Sequence, residues 1–318
     1  MKILVTGGAG FIGSHTAKML SDRGHRVVIV DDFNDYYNPK LKEDRVSVLL
    51  TGYDIPVERI DVRDYDRLHS LFKKNRFDAI CHLAARAGVR ASLEQPRLYQ
   101  EVNVGGTTNL LEFSVQFNVQ QFVFASSSSV YGNNTKVPFA EDDPVDHPIS
   151  PYAATKKACE LMAYAYHHIY RLPVIGLRYF TVYGPWGRPD MALFKFTDAI
   201  VRGKPIDVYN HGNMLRDFTY VDDIVWGTVH ALEYADGGYH ILNLGNNHAE
   251  ELGNFIGLLE RALGKTAQKN YLPMQPGDVP ATYADIARAK SLLGFEPGTR
   301  IGEGILKFVQ WYRQYYDV

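Results

Sequence analysis

The sequence predicts an α/β fold in which a doubly wound parallel sheet is followed by a smaller C-terminal α/β domain. Over about the first 180 residues, short apolar runs alternate with helical patterns, as expected for parallel strands covered by helices on both faces. Beyond that point, prolines and glycines become frequent and the predicted elements become shorter. A length of 318 residues favours about two domains. We place them at 1–180 and 181–318, and expect some segments of about 200–260 to return to the main sheet.

The strands of the first domain are predicted from apolar runs bounded by glycine, acidic or serine residues. They are 2–6 (KILVT), 26–31 (RVVIVD), 56–61 (PVERID), 77–85 (FDAICHLAA), 121–129 (QFVFASSSS) and 172–180 (LPVIGLRYF). Helical periodicity predicts the connections between them. These helices span about 11–22, 64–75, 96–117 and 151–170.

The second domain has shorter predicted elements. Its strands are 205–209 (PIDVY), 217–221 (DFTYV) and 238–244 (GYHILNL), and its helices span about 222–235, 250–263, 285–293 and 301–315.

The first strand leads into a glycine-rich turn, TGGAGFIG at 6–13, which opens the first helix. Gly7, Gly10 and Gly13 follow a GxxGxxG spacing, and Gly8 with the last two gives GxGxxG. Glycines so placed let the backbone turn sharply and approach a pyrophosphate at the helix N-terminus. Because the motif begins a βαβ pattern, it predicts a Rossmann-type dinucleotide site.

A carboxylate at the end of the second strand distinguishes between dinucleotides. Asp31 lies eighteen residues after Gly13, where a carboxylate can hydrogen-bond a ribose diol and repel a 2′-phosphate. Asp32, Phe33 and Asn34 follow, with no arginine to bind that phosphate. The sequence therefore favours NAD over NADP.

Hydroxyl groups follow the fifth strand, and a tyrosine and a lysine begin the next helix. FASSSSVYG (124–132) places its serines at the carboxyl end of a parallel strand, where ligands bind in open sheets. SPYAATKKACE (150–160) puts Tyr152 four positions before Lys156, so both side chains share one helical face. Taken alone, a serine-rich cap and a surface helix with solvated lysines explain these segments too.

Together the motifs make the chain resemble the extended short-chain dehydrogenase/reductase family over nearly its whole length. The resemblance rests on TGGAGFIG, FASSSSVYG, Tyr152-x-x-x-Lys156 and RDFTYVDDI (216–224). It implies that Tyr152 is the acid/base and that Lys156 lowers the pKa of this tyrosine and holds the nicotinamide ribose. It also implies that Ser127 orients the reacting alcohol, with Ser128 and Ser129 completing the catalytic set. A free phenol is a poor base at neutral pH, because its pKa is about 10, unless a nearby cation stabilises the phenolate.

The resemblance further implies a tightly bound NAD. The residues expected to contact it lie in the glycine turn, at strand ends and on two helices. They are Gly7, Gly10, Phe11, Ile12, Gly13, Asp31, Asp32, Asn34, Asp61, Val62, Leu83, Ala84, Ala85, Asn103, Tyr152, Lys156 and Tyr179.

The residues near the serine run indicate which reaction follows oxidation of a sugar alcohol. Dehydratases of the family carry an Asp-Glu pair where this chain has Ser128 and Ser129, and decarboxylases carry a glutamate at the second position. Neither acid is present. The segment 178–196 (RYFTVYGPWGRPDMALFKF), including Thr181, and QPGDV (275–279) are similar to the nucleotide-sugar 4-epimerases that act on UDP-glucuronate. The resemblance therefore implies interconversion of UDP-glucuronate and UDP-galacturonate through a 4-keto intermediate.

A UDP-sugar partner follows from the same resemblance, which assigns Arg216 to the diphosphate and Asp278 to the uridine ribose, with Tyr209 placed to stack on uracil. The C6 carboxylate needs a group that keeps the 4-keto acid from losing carbon dioxide, and Thr181, the serine run, Arg188 and Arg90 all remain candidates. The full expected set is Arg90, Ser127, Ser129, Thr181, Arg188, Tyr209, Arg216, Gln275 and Asp278.

Two alternatives remain open at this point. One is a 4-epimerase for neutral UDP-hexoses, although such enzymes usually carry asparagine where Thr181 stands. The other is a non-catalytic dinucleotide-binding or RNA-binding relative, which the intact Tyr152, Lys156 and Ser127 disfavour.

Composition excludes several other classes. The net charge is -2, with no basic stripe, so no nucleic-acid partner is expected. No HExxH motif or other metal site is evident, and no run of about 18 apolar residues predicts a membrane span. The two cysteines, Cys81 and Cys159, lie far apart, which suits a reducing cytoplasm. Apolar positions near 98–115 and 158–169 are compatible with a homodimer.

Overall fold

The computed structural model describes residues 1–275 and 279–318. Its strands are β1 (Lys2–Thr6), β2 (Arg26–Asp31), β3 (Val57–Arg59), β4 (Ala79–His82), β5 (Gln121–Ser127), β6 (Val174–Tyr179), β7 (Thr181–Tyr183), β8 (Ile206–Tyr209), β9 (Leu215–Tyr220), β10 (Tyr239–Leu244), β11 (Ala249–Glu251) and β12 (Lys269–Leu272).

Its α-helices are α1 (Phe11–Asp22), α2 (Lys40–Asp44), α3 (Tyr65–Lys74), α4 (Val89–Glu94), α5 (Pro96–Tyr99), α6 (Gly106–Gln116), α7 (Pro151–Tyr170), α8 (Ala192–Val201), α9 (Val221–Glu233), α10 (Leu252–Leu263), α11 (Ala287–Leu293) and α12 (Ile301–Tyr316). Two π-helical stretches, Arg45–Leu49 and Gln100–Gly105, extend α2 and join α5 to α6, and two 3₁₀ turns span Ser128–Tyr131 and Asn210–Gly212.

A seven-stranded parallel sheet organises the described part of the chain, in the order β10-β6-β5-β4-β1-β2-β3. The chain crosses from β1 outward through β2 to β3, and then begins again on the other side of β1 with β4. Because every strand runs the same way, all the carboxyl ends meet at one edge of the sheet. The predicted fold class, a Rossmann-type doubly wound parallel sheet, is confirmed.

Side-chain alternation along the strands produces a hydrophobic cluster on each face of this sheet. In β1, Ile3 and Val5 belong to one cluster and Leu4 to the other. In β2, Ile29 joins the first cluster and Val28 the second. Successive strand residues point to opposite faces, so continuous apolar runs are what a sheet covered on both sides requires.

The C-terminal half adds one strand to the large sheet and builds two small sheets. β10 pairs with β6 in parallel, with Tyr239 opposite Val174. The small sheets have the orders β11-β9-β7 and β12-β8. β7 begins two residues after β6 ends, so the first small sheet continues directly from the carboxyl edge of the large one.

Several elements differ from the sequence-based expectation. The helix predicted over 96–117 consists of α5, the π-helical stretch and α6. Helices at 40–49, 89–94 and 192–201 were not predicted. The first of these buries Lys42 and Arg45 rather than an apolar stripe, so hydrophobic periodicity gives no sign of it. Within the described ranges, none of the helices combines the length and the apolar character needed to cross a bilayer.

A buried ion pair holds together the strand ends that lead to the catalytic candidates. Glu160 of α7 accepts bonds from Nε and Nη2 of Arg178 on β6, both at 2.9 Å, and from Ser126 Oγ on β5 at 2.7 Å. Arg178 also donates to the hydroxyl of Tyr131, which donates to Asn243 on β10. Burial by itself raises the pKa of Glu160, but the bonds and charge of Arg178 outweigh it and lower that pKa.

Replacing Glu160 with Gln is expected to reduce the free energy of unfolding by about 3–5 kcal/mol, because Arg178 is left buried without its counter-charge. Chemical denaturation at neutral pH measures this loss. Because the folded-state pKa of Glu160 is depressed, its stabilisation is present above the unfolded value of about 4.3 and is lost as pH falls through the folded value. The two proteins should therefore converge in stability on acidification.

The exposed pair between Arg59 and Glu43 provides the matched control. Glu43→Gln should change the free energy of unfolding by less than about 1 kcal/mol. Equal losses for Glu43→Gln and Glu160→Gln would contradict the role given to the buried pair.

Candidate active site

A cavity of about 630 Å³ opens at the carboxyl edge of the large sheet. Its walls come from the glycine turn after β1 and from the residues that follow β2, β4, β5 and β6. The opposite wall comes from segments 181–196 and 207–218 of the C-terminal half. The cavity thus lies where parallel α/β sheets bind ligands.

The glycine turn is shaped for close approach of a ligand to the backbone. Gly7 has φ +69°, and a Cβ there would lie 2.7 Å from the backbone nitrogen of Ala84. A Cβ on Gly13 would overlap the carbonyl of Gly7. α1 starts after Gly10 with no side-chain cap and no acidic residue in its first turn. Its N-terminal amides therefore fit a dinucleotide diphosphate.

Asp31 connects the glycine turn to the next loop. One carboxylate oxygen accepts from the backbone N–H of Ala9 at 3.0 Å, and the other from that of Phe33 at 2.9 Å. The side chain is buried, which raises its pKa. Asp31 lines the cavity, so the same carboxylate that shapes both loops remains at the position expected to meet a ribose diol.

Two charged groups border this end of the cavity. Lys42 is buried and donates to the backbone oxygen of Asn34 at 2.7 Å. Burial lowers the pKa of Lys42, against the opposing effect of Asp31 and Asp32. Two residues after β3, burial by itself raises the pKa of Asp61, but bonds from Arg63 outweigh it and lower that pKa.

The serine run and the tyrosine helix meet at the centre of the cavity. Ser127 ends β5, and its Oγ accepts from the backbone N–H of Ser129 at 3.1 Å. Ser150 caps α7 by accepting from Ala153, which places Tyr152 in the first turn. Lys156 follows one turn later; it is 5% exposed, and its Nζ donates to the carbonyl of Ala125 on β5 at 2.7 Å. Tyr152, Lys156 and the serines all line the cavity.

Two arginines line the cavity near the C-terminal half. Arg188 donates from Nε to Asp190 at 3.0 Å, and Tyr36 donates to the same carboxylate at 3.2 Å. Burial by itself lowers the pKa of Arg188, but the charge and bonds of Asp190 outweigh it, so the pKa is raised. The guanidinium of Arg90 lies 5.0 Å from the ring centre of Tyr209, a cation–π geometry.

Three further predicted residues also line the cavity. Tyr179 lines it, but its hydroxyl shares a hydrogen bond with Thr228 in the core at 2.8 Å, and burial raises its pKa. Arg216 lines it on β9 and donates to the backbone oxygen of Leu215 at 2.9 Å. Thr181 begins β7 at the junction of the two halves.

The structure brings nearly all the predicted site residues together. Those found on the cavity wall are Gly7, Gly10, Phe11, Ile12, Gly13, Asp31, Asp32, Asn34, Asp61, Val62, Leu83, Ala84, Ala85, Arg90, Ser127, Ser128, Ser129, Tyr152, Lys156, Tyr179, Thr181, Arg188, Tyr209 and Arg216. Of the described candidates, Asn103 and Gln275 do not line it. Asp278 lies outside the described residues.

Asn103 lies behind the wall. Its amide donates to the backbone oxygen of Arg86 and to Thr155 Oγ1, both at 3.0 Å, and its oxygen accepts from the backbone N–H of Arg86 at 2.8 Å. These bonds occupy the side chain in holding the loop after β4 against α7. The expected contact of Asn103 with the cofactor stays a prediction.

The sequence analysis did not assign several residues of the wall. They include Tyr36, Tyr37, Lys42, Arg86, Asp190, Lys195 and Asp207. For some of them, only their position in the sequence could have indicated a place on the wall. Arg86 follows β4 at the carboxyl edge, and Asp190 follows Arg188 in the GRPDM segment. Lys42 had no such signal, because the helix that carries it was not predicted.

The charge of the wall suits an anionic ligand. Among the described lining residues, lysines and arginines number seven and aspartates five. No group of three or more His, Cys, Asp or Glu within residues 1–275 and 279–318 is arranged to hold a metal ion. The wall supplies hydroxyl, phenol, carboxylate and cationic groups to a ligand, with cations in excess.

Comparison with known proteins agrees with this geometry. The NAD dependent epimerase/dehydratase family matches residues 3–245. UDP-glucuronate 4-epimerase 4 of Arabidopsis thaliana is 48% identical over 332 residues, which cover 99% of this chain and 76% of that protein.

Two solved structures show the same fold over 99% of this chain and 100% of theirs. UDP-glucuronic acid 4-epimerase from Bacillus cereus, in complex with UDP-glucuronic acid and NAD, has a TM-score of 0.93 at 36% identity. UDP-glucose 4-epimerase from Thermotoga maritima, with UDP-glucose, has a TM-score of 0.90 at 32% identity.

Gly13→Ala is expected to remove most of the bound dinucleotide, because the new Cβ displaces the carbonyl of Gly7 and with it the turn. The dinucleotide released by acid from the purified protein, quantified by chromatography, measures this loss. Gly253→Ala on α10 is the matched control, since no heavy atom lies within 4 Å of a Cβ there. Full dinucleotide content in the Gly13 variant would contradict the assignment of the turn.

Proposed function

Because this chain belongs to the NAD dependent epimerase/dehydratase family, we propose that it interconverts UDP-glucuronate and UDP-galacturonate by epimerisation at C4 of the sugar. The observation that carries the proposal is the convergence of the glycine turn, the serine run, Tyr152 and Lys156 on one cavity. The relatives that act on UDP-glucuronate support the choice of sugar.

The residues of this chain supply the acid/base chemistry. When bound, NAD supplies the hydride acceptor and donor. Tyr152 takes the proton of the C4 hydroxyl and returns it after the sugar has turned over. Lys156 lies one helical turn from Tyr152 on the same face of α7, where it can hold the nicotinamide ribose, and Ser127 orients the alcohol. Since the net reaction is redox-neutral, the cofactor stays bound through each cycle.

The two halves of the chain divide the binding. We propose that residues 1–180 hold NAD, while 181–318, together with Arg90 and the serines, mainly hold the UDP-sugar. Arg216 is suited to the diphosphate because guanidinium–phosphate bonds are charge-assisted. Tyr209, with Arg90 over its ring, offers a face for uracil. The proposal that Asp278 and Gln275 bind the UDP-sugar rests on the family resemblance alone.

A uronate substrate creates a chemical hazard, because the 4-keto intermediate is a β-keto acid. Carbon dioxide leaves when the bond to the carboxylate aligns with the π system of the carbonyl. The site must therefore hold the carboxylate out of that alignment while the ring rotates. Thr181 and the serines offer neutral donors for this purpose, and Arg188 and Arg90 offer charged ones.

A neutral UDP-hexose is the second candidate substrate, supported by the likeness to the Thermotoga enzyme. The threonine at position 181 favours UDP-glucuronate as the substrate, because 4-epimerases for neutral UDP-hexoses usually carry asparagine there. A coupled assay with purified protein compares the two substrates directly, and we expect turnover of UDP-glucuronate in excess of UDP-glucose. Turnover of UDP-glucose alone would overturn the choice.

Tyr152→Phe is expected to reduce turnover by about a thousandfold or more, because it removes the proton acceptor, while leaving NAD content unchanged. Product formation, followed by chromatography, and the amount of released NAD measure the two effects separately. A wild-type rate in the variant would remove Tyr152 from its role. Loss of NAD together with activity would point to a structural effect instead.

We also propose a cytoplasmic homodimer. Both cysteines are free and buried, which suits a reducing compartment. α7 exposes large apolar side chains at neighbouring positions, with Leu161 59% and Tyr164 52% exposed. Apolar side chains adjacent on one helix are typical of a protein interface, and a second copy of this chain, related by a two-fold axis, would cover them.

Leu161→Asp combined with Tyr164→Asp is expected to shift the mass in solution from two chains to one, because charge at the centre of an interface disfavours association. Light scattering coupled to gel filtration measures the mass. Leu306→Asp on α12 is the matched control, as Leu306 is 52% exposed on another element. A dimer that survives the double change would place the interface elsewhere.

A further inference from the structure

Arg45 is the largest fully buried side chain in the described part of the molecule, with 0% exposure. A guanidinium keeps its charge in proteins, so its removal from water is costly unless every donor is satisfied. The hydrogen bonds that Arg45 donates all end on uncharged oxygens. Its charge therefore has no carboxylate partner among them.

These bonds join two loops that are distant in sequence. Nη1 donates to the carbonyl of Ala9 in the glycine turn at 3.2 Å and to the hydroxyl of Tyr37 at 2.6 Å. Nε and Nη2 donate to the carbonyl of Trp186 at 3.1 and 2.7 Å, and Nη2 also donates to that of Gly187 at 3.3 Å. One rigid group thus connects the cofactor turn to the segment entering the sugar side.

The turn at Trp186 needs such a restraint. Trp186 has φ +62°, a left-handed conformation that is unfavourable for a bulky side chain and persists only where the surroundings impose it. Its ring packs against Trp311 and Tyr315, at 5.3 and 5.1 Å between ring centres. Packing fixes the side chain and Arg45 fixes the carbonyl. Two residues later the chain reaches Arg188 on the cavity wall.

The position of the charge also matters. The guanidinium donates to the carbonyl of Ala9. Ala9 belongs to the glycine turn, whose backbone is shaped for close approach of a diphosphate. A cation at low dielectric attracts an anion over a longer distance than one in water. A bound diphosphate would supply the counter-charge that the contacts of Arg45 lack.

We propose that Arg45 is a positioning residue that couples the cofactor turn to the turn presenting Arg188, and that the cofactor diphosphate balances its buried charge. The inference rests on the proposed function for its sugar side, while its cofactor side depends only on the NAD site. Arg45 touches no reacting atom and acts through Ala9 and Trp186.

Two substitutions separate the two parts of the proposal. Arg45→Lys keeps the charge, but one ammonium cannot reproduce the planar fork that reaches both loops. Arg45→Met removes the charge and keeps most of the volume. Ile305→Ala on α12 is the control for general destabilisation, since Ile305 is fully buried and does not line the cavity.

Exchange of bound NAD for labelled NAD in the holoenzyme tests the charge without requiring turnover. Arg45→Met should exchange NAD at least about tenfold faster than wild type, as expected for the loss of one buried charged interaction. Arg45→Lys should stay within about threefold of the wild-type rate, since its charge is retained. Ile305→Ala should exchange at the wild-type rate despite a lower melting temperature. If a folded Arg45→Met protein exchanged NAD at the wild-type rate, the proposal that the cofactor diphosphate balances the charge of Arg45 would be overturned.

A double-mutant cycle tests the coupling. In the wild-type background, Arg45→Lys should lower kcat/KM for UDP-glucuronate by about tenfold. In the Arg188→Met background, the same change should lower it by less than about twofold, because the effects of coupled sites are not additive. Equal effects in both backgrounds would overturn the coupling. If Arg45→Met does not fold, Arg45→Gln, which also removes the charge, takes its place in the exchange experiment. If the wild-type protein turns over no UDP-glucuronate, the proposed function fails, while NAD exchange still tests Arg45.

Discussion

Parallel pairing of the central strands is the constraint on which the site depends. Each strand delivers its last residues to the same edge, so a glycine turn, an acidic residue, a serine run and an aromatic segment from distant parts of the chain become neighbours. β10 extends that arrangement from the C-terminal half. The edge of the sheet thereby fixes one wall of the cavity, and the small sheets supply the other.

Buried charge is concentrated around this edge, and each instance is balanced in a different way. Glu160 and Arg178 neutralise one another beneath the ends of β5 and β6. Lys156 is buried against a strand carbonyl. Arg45 has only neutral acceptors, and it lies behind the turn that a diphosphate would face. Charges held in this way cost stability and fix the orientation of the cavity walls.

The two halves of the cavity are connected by more than its ligands. Arg188 is paired with Asp190, and Tyr36 from the first half donates to the same carboxylate. Arg45 joins the glycine turn to Trp186. Such connections make the position of one wall of the cavity depend on the other, as an enzyme needs when two bound molecules must meet at atomic distance.

The sequence by itself determined the fold class, the glycine-rich turn after β1 and the placing of Tyr152 and Lys156 on one helical face, because these follow from local patterns: apolar runs, glycine spacing and helical periodicity. Tertiary structure alone decided which distant residues share a wall. Lys42 and Arg45 escaped prediction because they lie on a helix that buries charge instead of an apolar stripe. Asn103 lies behind the wall, since its amide bonds to Arg86 and Thr155 are made across elements that only packing brings together. A local pattern records what a segment prefers, whereas the balance of a buried charge depends on neighbours far away in the chain.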